Sequence, residues 1–324
     1  MSVKPAHTGA AGEIIVICSD SVWNDGLDSS MTELFRFYLP MLPQAEEAFN
    51  VGHYTPEQFT MVIERHRNIF IIKTDNKRPE GQATYNLYKD KWAKNQLVLE
   101  IEAKTTNEAI SKLEEHQEEV VNVINRKENE RLAGIFYTYP AKGAMSMVKK
   151  KFDVDLVFPK GFEVAKNEDD FMWLKREKSR NLGGNMYYVI QNLIIYTHPY
   201  LSDSSFTDAS LLSKRDSFVS KIPGPSEGSF MTTVYSFEDM DLYPVGKDVN
   251  INGNYGREIR GLWKMENDFM GGPFVSVSTF DEKNQRIITI EGEVFGPKFD
   301  KREYLRELES IVYSIKLNKE NNGG

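Results

Sequence analysis

The chain has 324 residues, 40% hydrophobic and 27% charged, and its 48 acidic against 40 basic side chains give a formal net charge of −8. This is a globular composition long enough for two cores, and its acidic balance carries no electrostatic footprint for nucleic acid. No apolar stretch reaches the roughly 20 residues of a membrane span; residues 1–12 lack a signal-peptide pattern and read as a flexible tether.

Glu13–Cys18 reads as a buried strand, in which Cys18, the single cysteine, is a small hydrophobe with no partner for an intramolecular disulfide. A polar turn carrying Trp23 follows, then a helix over Ser29–Leu39 that ends at Pro40 and Pro43. Thr55 and Pro56 predict a capped helix to about His66. Strands are expected at Asn68–Lys73 and Leu97–Ala103, with a helix over Thr84–Lys94 between them. Thr105 and Glu108 form a capping-box pattern ahead of a long helix. Its apolar stripe runs through Ile110, Leu113, Val120, Val121, Ile124, Leu132 and Ile135, is interrupted by Gln117 and Glu128, and stops at Pro140. A short helix over Ala144–Phe152 closes this half; the Lys149–Lys151 run reads as its solvated end.

The second half changes character. Asp153–Phe158, Phe162–Lys166, Phe171–Glu177 and Met186–Thr197 read as strands, and Phe206–Ile222 as a helix closed by Pro223 and Pro225. Further strands are expected at Phe230–Tyr235, Arg257–Met265, Phe274–Phe280 and Arg286–Phe295, the last two joined by a hairpin loop. Asp300 reads as the cap of a final amphipathic helix with Leu305, Leu308, Ile311, Val312 and Ile315 on one face. The fold class is α+β: an N-terminal α/β layer domain over residues 13–151, a mainly antiparallel sheet packed with helices over residues 152–318, and a disordered tail at 319–324. The order of elements in the second domain resembles the PsbP/Mog1-type sandwich.

Several local signatures occur together: Trp23; Leu42-Pro43-Gln44 with Phe49; His66-Arg67-Asn68; Phe171 to Leu174; Ile222 to Pro225 with Ser229 to Met231; Arg260 to Trp263; Phe269 to Phe274; and Lys301-Arg302 with Tyr304 to Arg306. As a set they resemble a family of Bacteroidetes lipoproteins classed only as a domain of unknown function. The resemblance implies a secreted, lipid-anchored protein of the cell envelope, with the anchor absent from this sequence. It brings no activity and no catalytic residues.

Few constellations carry chemistry. Asp248 to Asn254 imitates the start of a calcium loop, but Ile259 stands where a bidentate Glu belongs. An Asn-Gly turn held by side-chain bonds is the simpler reading. Histidines 7, 53, 66, 116 and 198 share no ligand spacing, and His66 reads as a structural hydrogen bonder. No nucleophile elbow, phosphate loop or dinucleotide fingerprint occurs. The Gly271-Gly272 pair reads as a turn. What remains is Arg257, Arg260, Trp263, Met270, Gly271 and Gly272, with Arg302 and Arg306 on the last helix. One reading is a ligand-binding cleft in which arginine grips an anion and aromatics stack on it. The other is a core tryptophan with arginines ion-paired to Glu303, Glu307 and Glu309. Alternation puts Trp263 and Arg260 on opposite strand faces. The expected function is non-enzymatic binding of an envelope partner or small ligand, with no cofactor, metal or nucleic acid and with membrane attachment only through the lipid. A hydrolase of envelope glycan or peptide is the alternative.

Overall fold

The computed structural model describes residues 4–237 and 240–318; the tail expected at 319–324 lies outside the described residues. The contacts divide the chain into two compact units. One comprises residues 1–39 and 46–131, the other residues 40–45 and 132–324. The division falls inside the long helix, where the sequence reading placed it after residue 151.

The first unit holds a five-stranded sheet in the order β2-β1-β3-β5-β4. Its strands are β1 (Glu13–Ile17), β2 (Asn50–Tyr54), β3 (Asn68–Thr74), β4 (Thr84–Lys89) and β5 (Leu97–Ala103). The first, second, third and fifth are parallel and β4 runs antiparallel to β5. Helices α1 (Asp28–Phe35) and α2 (Thr106–Thr138) cover one face: Met31 and Phe35, then Ala109, Leu113, Val120 and Ile124, bury against Ile14, Val16, Phe70, Leu99 and Ile101. On the other face, Phe59, Ile63 and Trp92 pack on Ile17, Ile69, Ile71 and Val98.

Three expectations change here. The segment after Thr55 forms its capping box but turns out of helix at Phe59, leaving 3-10 turns at Pro56–Gln58 and Ile63–Arg65. It lies over the sheet instead, with Phe59 edge-on to Trp92 at 5.5 Å. The helix expected over Thr84–Lys94 is strand β4, because Tyr85 and Leu87 alternate inward with period two. Residues 4–12 are not a free tether. Thr8 pairs with the backbone of Arg65 and Arg67, and Pro5 accepts from Lys94 N at 2.8 Å.

The residues that interrupt the α2 stripe explain themselves. Gln117 donates to the Leu34 carbonyl at 2.8 Å. Glu128 is fully buried and receives Arg131 at 2.7 Å, Arg67 at 2.5 Å, Asn68 at 3.1 Å and Gly12 N at 3.3 Å. Burying a carboxylate is tolerable only with such partners. His66, as expected, bonds structurally, to Glu13 at 3.1 Å and the Asn68 carbonyl at 3.3 Å.

The second unit adds α3 (Lys142–Phe152) and an eight-stranded sheet: β6 (Glu163–Glu168), β7 (Phe171–Leu182), β8 (Asn185–Pro199), β9 (Phe230–Thr233), β10 (Val245–Ile251), β11 (Asn254–Glu266), β12 (Gly271–Asp281) and β13 (Arg286–Phe295). The order is β9-β11-β12-β13-β8-β7-β6, all antiparallel, with β10 also on β11. Helix α4 (Asp208–Val219) covers one face through Leu211, Leu212, Phe218 and Val219. Helix α5 (Arg302–Val312) covers the other through Leu305, Leu308, Ile311 and Val312, with Val148 and Phe152 of α3 in the same core. The fold class is α+β, as the sequence indicates. Strand β10, absent from the sequence reading, takes up the calcium-like segment. Asn252 (φ 52°) and Gly253 (φ 90°) turn the β10–β11 hairpin, and Asn250 accepts from Gly253 N at 2.9 Å. Left-handed φ at both positions is what Asn-Gly supplies. Helix α5 starts after Lys301, without a side-chain bond from the expected cap Asp300.

Candidate functional site

The arginine-rich segment lies on β11, and the alternation expected there holds. Trp263 faces α4 with 1% of its surface exposed, packed with Ile259, Met265 and Phe274; Met270 is half-buried against the same core. Its indole N–H is buried without an acceptor among the described residues. Arg260 faces α5. Its guanidinium donates to Glu258 (Nε to Oε1, 2.9 Å) and Glu309 (2.5 Å), and the Tyr313 hydroxyl donates to Glu258 as well. Glu258 is 1% exposed. Burial opposes its ionisation, but Arg260, Lys247 at 3.3 Å and Tyr313 outweigh that and hold the carboxyl at about 2.

The other expected binding residues are elsewhere. Arg257 forks onto Asp208 of α4 at 2.7 and 2.9 Å and reaches Asp248 at 2.9 Å. Arg302 and Arg306 both reach Glu303, at 2.8 and 2.9 Å. Glu307 receives Arg176 at 2.5 Å and Lys178 at 2.8 Å. Gly271 and Gly272 are not a turn but the first residues of β12. The eight residues therefore line no common cleft: both faces of the sheet are covered, and the arginines among them have carboxylate partners. Arg260 reaches Glu309 as the core reading has it, while Glu307 pairs with Arg176 and Lys178. Cys18 is also sealed. Burial, then Asp20, pushes its thiol up to about 12, so it is a protonated core side chain. Among the described residues no group of three or more His, Cys, Asp or Glu could hold a metal ion.

An open surface occurs where α2 gives way to α3. There Pro140 ends the helix, and the chain pairs with the turn that precedes β6: Lys160 N donates to the Tyr139 carbonyl at 2.9 Å and Ala141 N to the Phe158 carbonyl at 3.1 Å. The two prolines Pro140 and Pro159 face each other in an isolated bridge. Between these segments runs a groove of about 640 Å³ lined by Tyr139, Pro140, Lys142, Lys160, Phe162 and Glu163, among others. Tyr139 is 65% exposed. Neither Lys142 nor Lys160 has a carboxylate partner among the described residues. Helix α3 begins at Lys142 with no side-chain cap, so its first amides remain open. The groove escaped the sequence reading because its walls lie some twenty residues apart. Pro140 and the Lys160-Gly161 turn were its visible traces.

Residues 141–314, more than half of the chain, match the family profile described as Domain of unknown function (DUF4837). The chain belongs to that family. Residues 7–137 match a second profile, Domain of unknown function (DUF8532). The DUF4837 match takes in β11, both covering helices of the second sheet and the groove wall from Lys142 to Glu163, while Tyr139 and Pro140 fall between the two matched stretches; neither description assigns an activity. No curated protein matches the chain. Among solved structures, a mutant of protein Mog1 is 12% identical, with a TM-score of 0.31, over 51% of this chain and 90% of that one. Among the described residues no helix is long and apolar enough to cross a membrane.

Proposed function

We propose that this member of the DUF4837 family is a non-catalytic binding protein of the Bacteroidetes cell envelope, tethered by a lipid outside this sequence, and that it takes an extended segment of a protein partner in the groove at Tyr139 and Phe162. The observation that carries this reading is the contrast in charge. In the second unit the Arg260 guanidinium is taken up by the buried Glu258 and by Glu309, whereas the groove presents two lysines without carboxylate partners among the described residues beside an exposed tyrosine and a proline. The groove offers the exposed ring of Tyr139, Pro140 and the cations of Lys142 and Lys160 beside one carboxylate, Glu163, a surface that suits a segment carrying apolar and acidic side chains. The envelope and the lipid rest on the resemblance to Bacteroidetes lipoproteins.

The test is photo-crosslinking in living cells, with p-benzoylphenylalanine in place of Tyr139 and, as control, of Tyr243, which is 61% exposed. The expected result is a protein adduct from position 139 alone, abolished by Lys142→Glu with Lys160→Glu. Equal adducts from both positions, or an adduct indifferent to the lysine reversals, would sink the groove reading. Fatty-acid labelling of the full gene product tests the anchor, and an unlabelled product refutes it.

A further inference from the structure

Under α4, the sheet face holds a charged cluster that the binding reading does not use. Glu291 and Glu293 on β13 are both fully buried, two residues apart and therefore on one face. A single guanidinium, Arg215 of α4, meets both. It gives Glu291 three contacts (Nε at 3.0 Å to each oxygen, NH2 at 2.7 Å) and Glu293 one, from NH2 at 2.7 Å. Its remaining nitrogen goes to Thr233 at 2.6 Å, and its plane lies 3.8 Å from the Phe274 ring centre. One guanidinium nitrogen thus stands 2.7 Å from an oxygen of each buried carboxyl, and a single positive charge cannot balance two carboxylates shielded from water.

From the geometry we infer that Glu291 and Glu293 carry one proton between them in the native protein, with Glu293 as the acid and Glu291 as the carboxylate, and that this proton is a pH-sensitive clamp holding α4 on the sheet. Four observations support the assignment. The fork of Arg215 is spent on Glu291, the partner best matched to a charged carboxylate. Among the described residues Arg215 is the one cation paired with Glu293. The neighbours are Asp216 and Arg215 from α4, Thr233 from β9 and Tyr235 beyond it, Tyr196 and Asn192 from β8, and Trp173 from β7. Lys175, on the same face of β7, turns to Glu177 at 2.5 Å. Asn192 donates to Glu293 only at 3.4 Å, its amide oriented by the Trp173 indole at 3.0 Å. Asp216 adds negative charge near the cluster, accepting from Thr233 at 2.6 Å and from Tyr235 at 2.7 Å.

The direction of the shift at Glu293 agrees. Burial first, and then the charge of Glu291, lift its carboxyl well above the usual range, while Arg215 and Asn192 pull the other way. A carboxyl raised by folding contributes stability below its unfolded value and loses it as pH rises through the folded value. The clamp is therefore firm in mild acid. It loosens toward alkaline pH, when the departing proton leaves two buried carboxylates on one guanidinium.

Isotope-edited infrared spectroscopy of the whole protein with labelled glutamate reads the proton directly. At pH 7 the expected spectrum contains a protonated carboxyl C=O band, which disappears in Glu293→Gln and also in Glu291→Gln, since either change leaves one carboxylate with its own arginine. Thermal melts add a second readout. Wild-type Tm falls as pH rises from 5 to 9, whereas Glu293→Gln, which cannot ionise, gives a flatter profile and the higher Tm at pH 9. A wild-type spectrum without the band overturns the inference even if both variants fail to fold. So does a band that survives either substitution, or a Glu293→Gln profile that parallels the wild type.

Discussion

Gly272 passes so close to Val294 that a Cβ on it would stand 1.9 Å from the Val294 carbonyl oxygen. The contact joins β12 to β13 at the end of the sheet where Trp263 is buried, and the indole nitrogen would be 3.4 Å from the same added atom. The Gly-Gly-Pro signature is thus a close backbone approach and not a loop. Gly272→Ala must push the strands apart, and overpacking of this kind costs typically about 1–3 kcal/mol. Chemical denaturation should show at least that loss; an unchanged midpoint would mean that the strands move apart freely.

Acid should expose the pair beneath α5. The Glu258 carboxyl is held at about 2 in the folded protein, below an unfolded value of about 4.3. A depressed carboxyl contributes stability above its unfolded value, and the contribution is lost as pH falls through the folded one. Wild-type stability should therefore decline between about pH 4.5 and 2. Glu258→Gln should start lower at pH 7 and lose less over that interval. Parallel curves for the two proteins would show that Glu258 is not linked to folding.

The division within the long helix predicts a difference between two fragments. Residues 132–318 keep Phe136, Val148 and Phe152, all buried in the core under α5. A fragment beginning at residue 153 lacks them. The longer piece should unfold in one cooperative transition and the shorter should melt well below it or aggregate. Equal melting temperatures would place the boundary after α3.

Apolar periodicity made β1, β3, β5, β13 and α5 legible, because each puts a stripe or run of Ile, Val and Leu against one core. It failed where elements are polar or at an edge. Asn50 to Tyr54 contains a glycine and no apolar run, yet it pairs in parallel along the whole of β1. Tyr85 and Leu87 fit a helix or a strand equally well until β5 lies beside them. Val245 to Ile251 is an edge strand whose residues are mostly solvent-facing. In the candidate site, alternation separated Arg260 from Trp263 correctly. That both faces are covered depends on α4 and α5, residues distant in the chain, so burial of the arginine was not readable. The groove is further from the sequence still, being made by a bridge between Pro140 and Pro159.

The central claim is that the arginine-rich strand is core on both sides and that recognition lies elsewhere. Thermal and chemical unfolding of two single variants tests it most directly. Trp263→Ala removes a side chain 1% exposed and should cost about 3–5 kcal/mol. Arg260→Ala strands Glu258 without its guanidinium and should cost a similar amount, about 3–5 kcal/mol, as broken buried pairs do. Large losses in both variants are the expected result. A loss below about 1 kcal/mol for Arg260→Ala, the size typical of a surface position, would contradict the account and return Arg260 to the list of candidate ligand contacts.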